Sequence, residues 1–234
     1  SYIKEQFPTV ERITTYGRTK SIARRTVEEL KILKDAGLTR VHSGMESGFD
    51  PLLEFMSKGV TAEEHIKAGL MLKEAGLNLC EYILLGLGGR KYWREHAMDT
   101  AMVLSSIDPH YVRMRTLAAR RGGPLQTYID SGEFQVQNDD GLAMEERLLL
   151  QNFDGTGSIV SDHILNLLEE VAGRELVSLP GPGNPDPAPR IPGFEEPLAR
   201  GQGTFPAVKG AGKGYPLVPK KPVQPFPVPG CTKS

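Results

Sequence analysis

Cysteine is nearly absent from this 234-residue sequence: Cys80 and Cys231 are the only two. Two thiols make no disulfide framework, so the composition points to a reducing, cytoplasmic compartment. Neither charge sign is in excess, with 28 Lys plus Arg against 29 Asp plus Glu. No whole-chain field therefore draws the protein to nucleic acid or to a membrane surface. No apolar run approaches the roughly 18 residues that a spanning helix needs, and no signal-peptide pattern opens the chain. Proline is scarce until residue 179, and residues 179–234 then hold 14 of the 18. That stretch is interleaved with glycine and has no hydrophobic periodicity. It cannot bury enough apolar surface to offset its ordering entropy, and is expected to be a disordered or polyproline-II tail. SYIKEQFP, residues 1–8, reads as the end of a helix with no cap before it, as in a chain that starts within a domain.

What is present is an alternation of strand and helix patterns. Residues 10–16 (VERITTY), 39–45 (TRVHSGM), 78–86 (NLCEYILLG) and 110–117 (HYVRMRTL) are the apolar or β-branched runs expected as strands. Thr26 with Glu29, and Thr61 with Glu64, form T-x-x-E capping boxes ahead of helical patterns that stop at Gly37 and Gly76. Asp50 as N-cap before Pro51 marks another helix start, and residues 93–106 a further helix, ending before Asp108 and Pro109. The segment LKDAGL at 33–38 recurs as LKEAGL at 72–77, each closing a helix and leading into a strand. This is a βα repeat, whose crossovers make the strands parallel and the connections right-handed. That leaves a (β/α) barrel or a doubly wound sheet, and four units are too few for a closed eight-fold barrel but fit a partial one whose first strands are missing. The expectation is an α/β fold: a partial parallel (β/α) barrel over residues 1–132, a helical extension over 133–178, and the tail over 179–234.

In such sheets a ligand sits at the carboxyl ends of the strands. Those ends are TTYGR (14–18), GMESG (44–48), LLGLGG (84–89) and RTLAARRGG (115–123). Strand alternation places Arg40, His42, Gly44 and Glu46 on one face of the second strand, and Tyr111, Arg113 and Arg115 on one face of the fourth. It groups Arg12, Thr14, Tyr16 and Arg18 along the first. A charged inner face calls for partners or a ligand, because unpaired buried charge is costly. The third strand does not alternate cleanly and leaves Cys80, Glu81 and Tyr82 unphased. The plainer readings are an interior histidine for His42, a small buried hydrophobe for Cys80 and a solvated loop pair for Arg120 and Arg121. Met71, Met98 and Met102 read as core, and Asp162 and His163 as the first turn of a helix.

Taken together, ERITTYGRTKSI, AGLTRVHSGMESGFDPLLEFMSKGVTAEEHI, YILLGLGGR and SSIDPHYVRMRTLAARRGGPL resemble the second half of a radical S-adenosylmethionine (SAM) domain. The resemblance is to the branch shared by the Elongator catalytic subunit, methylthiotransferases and coproporphyrinogen-oxidase-like proteins. It covers about residues 8–132, and SDHILNLL at 161–168 resembles a segment beyond the barrel of close relatives. The resemblance implies a six-stranded partial barrel of which these four strands are the third to sixth. It implies SAM bound across the strand ends by Gly44, Glu46 and Ser47 and by the turn of Gly86, Gly88 and Gly89. Glu46 would accept from ribose hydroxyls or the methionyl ammonium. It implies substrate contacts from Tyr16, Arg18, His42, Arg113 and Arg115, where guanidinium groups favour an anion. It also implies a 4Fe-4S cluster, an external electron donor, and reductive cleavage of SAM to a 5′-deoxyadenosyl radical that takes a substrate hydrogen.

This chain departs from the family pattern in lacking both the CxxxCxxC cluster motif and the glycine-rich methionine-binding turn, and Gly89 stands where an acid is common. Cys80 and Cys231 cannot make a three-thiolate site, so the chain alone is expected to be inactive, with no catalytic side chain or metal ligand of its own singled out. Two other readings stand beside this one. In another (β/α) enzyme, GLGG at 86–89 would form an anion nest for a phosphorylated substrate. In a non-catalytic module, the proline-rich tail would dock into an aromatic groove.

Overall fold

The LKDAGL and LKEAGL repeat becomes strand–helix units in the computed structural model, which describes residues 2–119 and 121–167, and the backbone of 170–172. Helix α1 (Tyr2–Gln6) precedes strand β1 (Thr14–Tyr16), and α2 (Thr19–Ile22) and α3 (Val27–Asp35) lead to β2 (Arg40–Glu46). Helices α4 (Asp50–Phe55) and α5 (Ala62–Glu74) lead to β3 (Asn78–Leu85), and α6 (Gly89–Ile107) leads to β4 (Tyr111–Thr116). Then come α7 (Pro124–Asp130), α8 (Asp139–Asn152), β5 (Ser158–Ser161) and β6 (Glu170–Ala172). The strands form one sheet in sequence order, parallel from β1 to β5, with β6 antiparallel at the far edge.

The helix ends follow from local chemistry. Both capping boxes close: the Thr26 hydroxyl accepts from the Glu29 amide at 3.2 Å while the Glu29 carboxylate accepts from the Thr26 amide at 2.9 Å, and Thr61 and Glu64 repeat the pair at the same distances. Gly37 (φ 106°) and Gly76 (φ 74°) take the left-handed conformation that ends a helix at little cost to glycine. Asp50 was expected as the N-cap of α4, but Phe49 holds that position. The Asp50 carboxylate instead accepts from the Ala62 amide at 2.7 Å, at the start of α5, so it ties two helices together.

The core lies between the outer face of the sheet and the helices. Val41, Met45, Leu79, Ile83, Val112 and Met114 pack there against Leu30, Leu72, Ala97, Ala101, Leu104 and Ile107. Met98 and Met102, expected in this core, are 51% and 40% exposed. The buried face of α6 runs through Ala97, Ala101 and Leu104, and one residue further along is about 100° around the helix. Residues 133–167 supply more than a helix. Strand β5 pairs with β4, and Leu149, Phe153 and Ile159 complete the core. The tail expected over 179–234 lies outside the described residues, as do Arg120 and Cys231.

Candidate functional site

The exit of β2 is bent. Register between β2 and β3 shifts between Gly44 and Glu46, and Glu46 adopts φ 62°, a conformation that costs a non-glycine residue on the order of 1–3 kcal/mol. Met45 is fully buried while the Glu46 carboxylate accepts from Lys58 Nζ at 2.5 Å. The next residues anchor the turn to α6. The fully buried Ser47 hydroxyl accepts from the Phe49 amide and lies 2.9 Å from His96 Nδ1. The Gly48 amide donates to Thr100 Oγ1 at 2.9 Å, and a Cβ at Gly48 would stand 2.5 Å from the Asp99 carbonyl.

The exit of β3 is braced from behind. The Leu84 carbonyl accepts from His96 Nε2 at 3.1 Å, and the Gly86 amide donates to Glu145 Oε1 at 2.8 Å. The amides of Leu87, Gly89 and Arg90 donate to the carbonyls of Leu84, Gly86 and Gln135. Each glycine has a packing reason of its own. A Cβ would meet Leu142 Cδ2 at 2.9 Å from Gly86, the Tyr92 backbone at 2.7 Å from Gly88, and the Gln135 carbonyl at 2.7 Å from Gly89. With four amides of this turn already engaged, it is poorly suited to be an anion nest.

Between these exits lies a cavity of about 290 Å³, walled by Tyr16, Gly44, Glu46, Tyr82, Leu84 and Arg115. Tyr82 is the residue that sequence reasoning missed. In the register it pairs with Gly44 and Arg113, which puts it on the inner face, as does the pairing of Cys80 with His42 and Tyr111. Glu81 pairs with Ser43 and Val112 and faces the core instead. The rings of Tyr16, His42 and Tyr82 form a cluster with centroids 5.3–6.3 Å apart.

The Arg115 guanidinium lies 5.0 Å over Tyr82, and Arg113 Nη1 is 3.5 Å from the Tyr82 hydroxyl. Both arginines pair with Asp162, at 3.2 and 3.1 Å. Some burial works to raise the Asp162 pKa, but the hydrogen bond from Arg115 and the charges of both arginines hold it below the usual range. Asp162 therefore follows β5 as an ion-pair partner, in place of the helix turn expected there. One carboxylate shared by two guanidinium groups leaves a positive surplus.

Deeper in, Arg40 stacks on Tyr111 at 4.0 Å, and Arg40 Nε and His42 Nδ1 are buried without a hydrogen-bond partner among the described residues. Burial first, then Arg40 and Arg113, push the His42 pKa down, so the ring is neutral near pH 7. Tyr16, Gly44, Glu46 and Arg115 thus meet at the cavity. His42 and Arg113 join them through Tyr82, while Ser47, Gly86, Gly88 and Gly89 are not on its wall. Arg18 is exposed and stands at the start of α2, also off the wall.

The sequence model of the Radical SAM superfamily matches residues 3–101, a span that holds both the GMESG and the glycine-rich turns. Over these residues the chain is similar to the radical SAM superfamily. The chain is 31% identical over 126 residues to the biotin synthase of Gloeothece citriformis, across 52% of this chain and 33% of that protein. It is 34% identical over 118 residues to a tRNA uridine(34) acetyltransferase of Methanocaldococcus jannaschii, across 48% of this chain and 21% of that protein. The chain thus spans a third or less of the length of these relatives. The fold is shared with archaeal Methanocaldococcus infernus Elp3 lacking its N-terminal residues 1–46, at TM-score 0.53 and 19% identity, over 71% of this chain and 40% of that one.

Radical SAM proteins use SAM and a 4Fe-4S cluster, and the residues present fit the two unequally. Gly44 fits SAM, because a Cβ there would touch only Glu46 Oε1, at 3.7 Å, so the backbone is open to a flat ligand. The cluster does not fit. The chain has two cysteines and no CxxxCxxC, and burial pushes the Cys80 thiol up to about 11. No group of three or more His, Cys, Asp or Glu able to hold a metal occurs among the described residues. No helix among them is long and apolar enough to cross a membrane.

Proposed function

We propose that this chain forms part of a radical SAM enzyme, orienting SAM at the ends of β2 and β3 and seating an anionic substrate on the inner face of the sheet. The observation that carries the reading is the cavity of about 290 Å³, where a carboxylate fixed by Lys58, an open glycine and two tyrosines converge. Its volume lies near the lower end of the roughly 300–1,000 Å³ typical of small-molecule sites. Glu46 is the acceptor for the ribose hydroxyls or the methionyl ammonium, and Gly44 offers its backbone to the ring. Ser47, Gly86, Gly88 and Gly89 act behind the walls, by fixing the backbone. On the inner face, Tyr16, His42, Arg113 and Arg115 receive the substrate, with Arg18 near the rim. The shared Asp162 leaves positive charge for a carboxylate or phosphate there.

In this family SAM supplies a 5′-deoxyadenosyl radical that takes a hydrogen from the substrate, with electrons from an outside donor. The part played by this chain is to bind, orient and exclude water. Its cysteine count gives it no share in ligating the cluster.

The test is calorimetric titration of S-adenosylhomocysteine into the 234-residue chain and its Glu46→Gln variant. The wild type binds, and the variant binds about tenfold or more weakly, because a hydrogen bond to a charged group contributes about 1.5–3 kcal/mol. Equal affinity would remove Glu46 from the site, and no binding by the wild type would overturn the reading.

A further inference from the structure

His96 on α6 and Glu145 on α8 lie directly behind both walls of the cavity, with side chains 1% and 0% exposed. A carboxyl group at that depth is costly unless its oxygens are satisfied, and here each oxygen has a partner. Glu145 Oε1 accepts from the Gly86 amide at 2.8 Å and lies 3.4 Å from His96 Nε2, while Oε2 accepts from the Gln137 amide group. Burial pushes the Glu145 pKa up to about 7, with the Gly86 and Gln137 hydrogen bonds pulling the other way.

Burial also holds His96 neutral, with its pKa down to about 4. Its contact with Glu145 is therefore not an ion pair near pH 7. The neutral ring donates from Nε2 to the Leu84 carbonyl at 3.1 Å, and its Nδ1 accepts from the Ser47 hydroxyl at 2.9 Å. Ser47 follows Glu46 in one wall, and Leu84 belongs to the other. A single imidazole thus spans the two turns.

We propose that His96 and Glu145 are positioning residues for the ligand of this cavity, holding the GMESG turn and the Leu84–Gly86 turn in fixed relation. The proposal rests on the SAM reading above and extends it to residue 145, outside the span that matches the family. Gly86 lies past the last ladder pair, Leu85 with Thr116, at φ 82°, with Leu142 packed where a Cβ would be. Its amide therefore depends on Glu145. An apolar residue of equal size at 145 would fill the space but leave that donor unpaired.

The experiment compares wild type, Glu145→Gln, Glu145→Leu and Leu149→Ala by two readouts, S-adenosylhomocysteine affinity and amide hydrogen exchange at Gly86. Glu145→Gln keeps an acceptor for Gly86 and stays within about threefold of wild-type affinity. Glu145→Leu loses about tenfold or more, and Gly86 exchanges faster relative to the other amides of the β3 exit. Leu149→Ala, a core change on the same helix, lowers the melting temperature but leaves affinity and the relative exchange at Gly86 unchanged. Wild-type affinity and exchange in Glu145→Leu would overturn the proposal. If Glu145→Leu does not fold, His96→Phe, which keeps the ring volume and loses both nitrogens, must show the affinity loss or the proposal falls. If the wild type binds no S-adenosylhomocysteine, the SAM reading fails, while Gly86 exchange still decides whether Glu145 holds the turn.

Discussion

Glu81 sits on the core side of β3, 2% exposed, and its Oε2 has no hydrogen-bond partner among the described residues. Burial pushes its pKa from 4.5 up to about 8, against hydrogen bonds from Ser43 and the Met45 backbone that pull it down. The folded chain therefore keeps a proton that the unfolded chain releases above pH 4.5. Stability on this account falls as pH rises toward 8, by up to about 1.4 kcal/mol per pH unit. His65 and His96 act in the opposite sense. Burial holds both near 4, so the folded chain binds fewer protons than the unfolded one below 6.5, and stability is lost as the solution is acidified. Between 4.5 and 6.5 the two effects oppose each other. Above 6.5 the acids act alone, with Glu145 titrating near 7 and Glu81 near 8. The melting temperature of the wild type is expected to fall from pH 6.5 to 8, and Glu81→Gln to flatten that fall, chiefly above pH 7. An equally steep fall in the variant would refute the assignment. None of this was legible in NLCEYILL, where apolar residues occupy both parities and only pairing with β2 and β4 fixes the phase. Arg113 and Arg115 were legible, because Val112 and Met114 between them mark the other face.

Helix α5 shows what a local signal is worth. Thr61 is exposed, and among the described residues its side chain serves only the box with Glu64. Thr61→Ala should therefore cost about 1 kcal/mol. In urea this appears as a lower midpoint with an unchanged slope, and an unchanged midpoint would mean that tertiary packing alone holds the start of α5. Both boxes, the glycine stops and the βα repeat could be read in advance, because each depends on residues a few positions apart. Strand β5 could not be. SIVS is four residues long, and its pairing joins Tyr111 to Ser158 across nearly fifty positions. The same distance hid Asp162, whose neighbours in sequence suggested a helix start while its partners are Arg113 and Arg115. Within the candidate site, alternation placed Gly44, Glu46 and Arg115 on one face of their strands, while their roles toward SAM and substrate came from the family resemblance. Tyr82, His96 and Glu145 depend on register and on packing from helices that no short motif announces.

At the scale of the whole molecule, the family match ends at residue 101 while the core does not. Val112, Met114, Leu149, Phe153 and Ile159 all belong to the same buried cluster as Val41 and Leu79. A chain cut after residue 132 would lose Leu149, Phe153 and Ile159, the Glu145 bond to Gly86 and the strand that covers β4. Burying one large apolar side chain contributes about 1.5–3 kcal/mol, so three contribute about 5–9 kcal/mol. That is comparable to the entire stability of an ordinary domain, about 5–15 kcal/mol. The expected outcome is that residues 1–132 melt without a cooperative transition and associate through the bared edge of β4, whereas residues 1–179, one compact unit, unfold cooperatively. Circular dichroism melts with size-exclusion chromatography on both chains decide it. Cooperative unfolding of the shorter chain at the same temperature would show that α8 and β5 only decorate the sheet. Failure of the shorter chain alone would show that the sheet depends on the segment behind it, since the residues that brace Gly86 and complete the core are the ones removed.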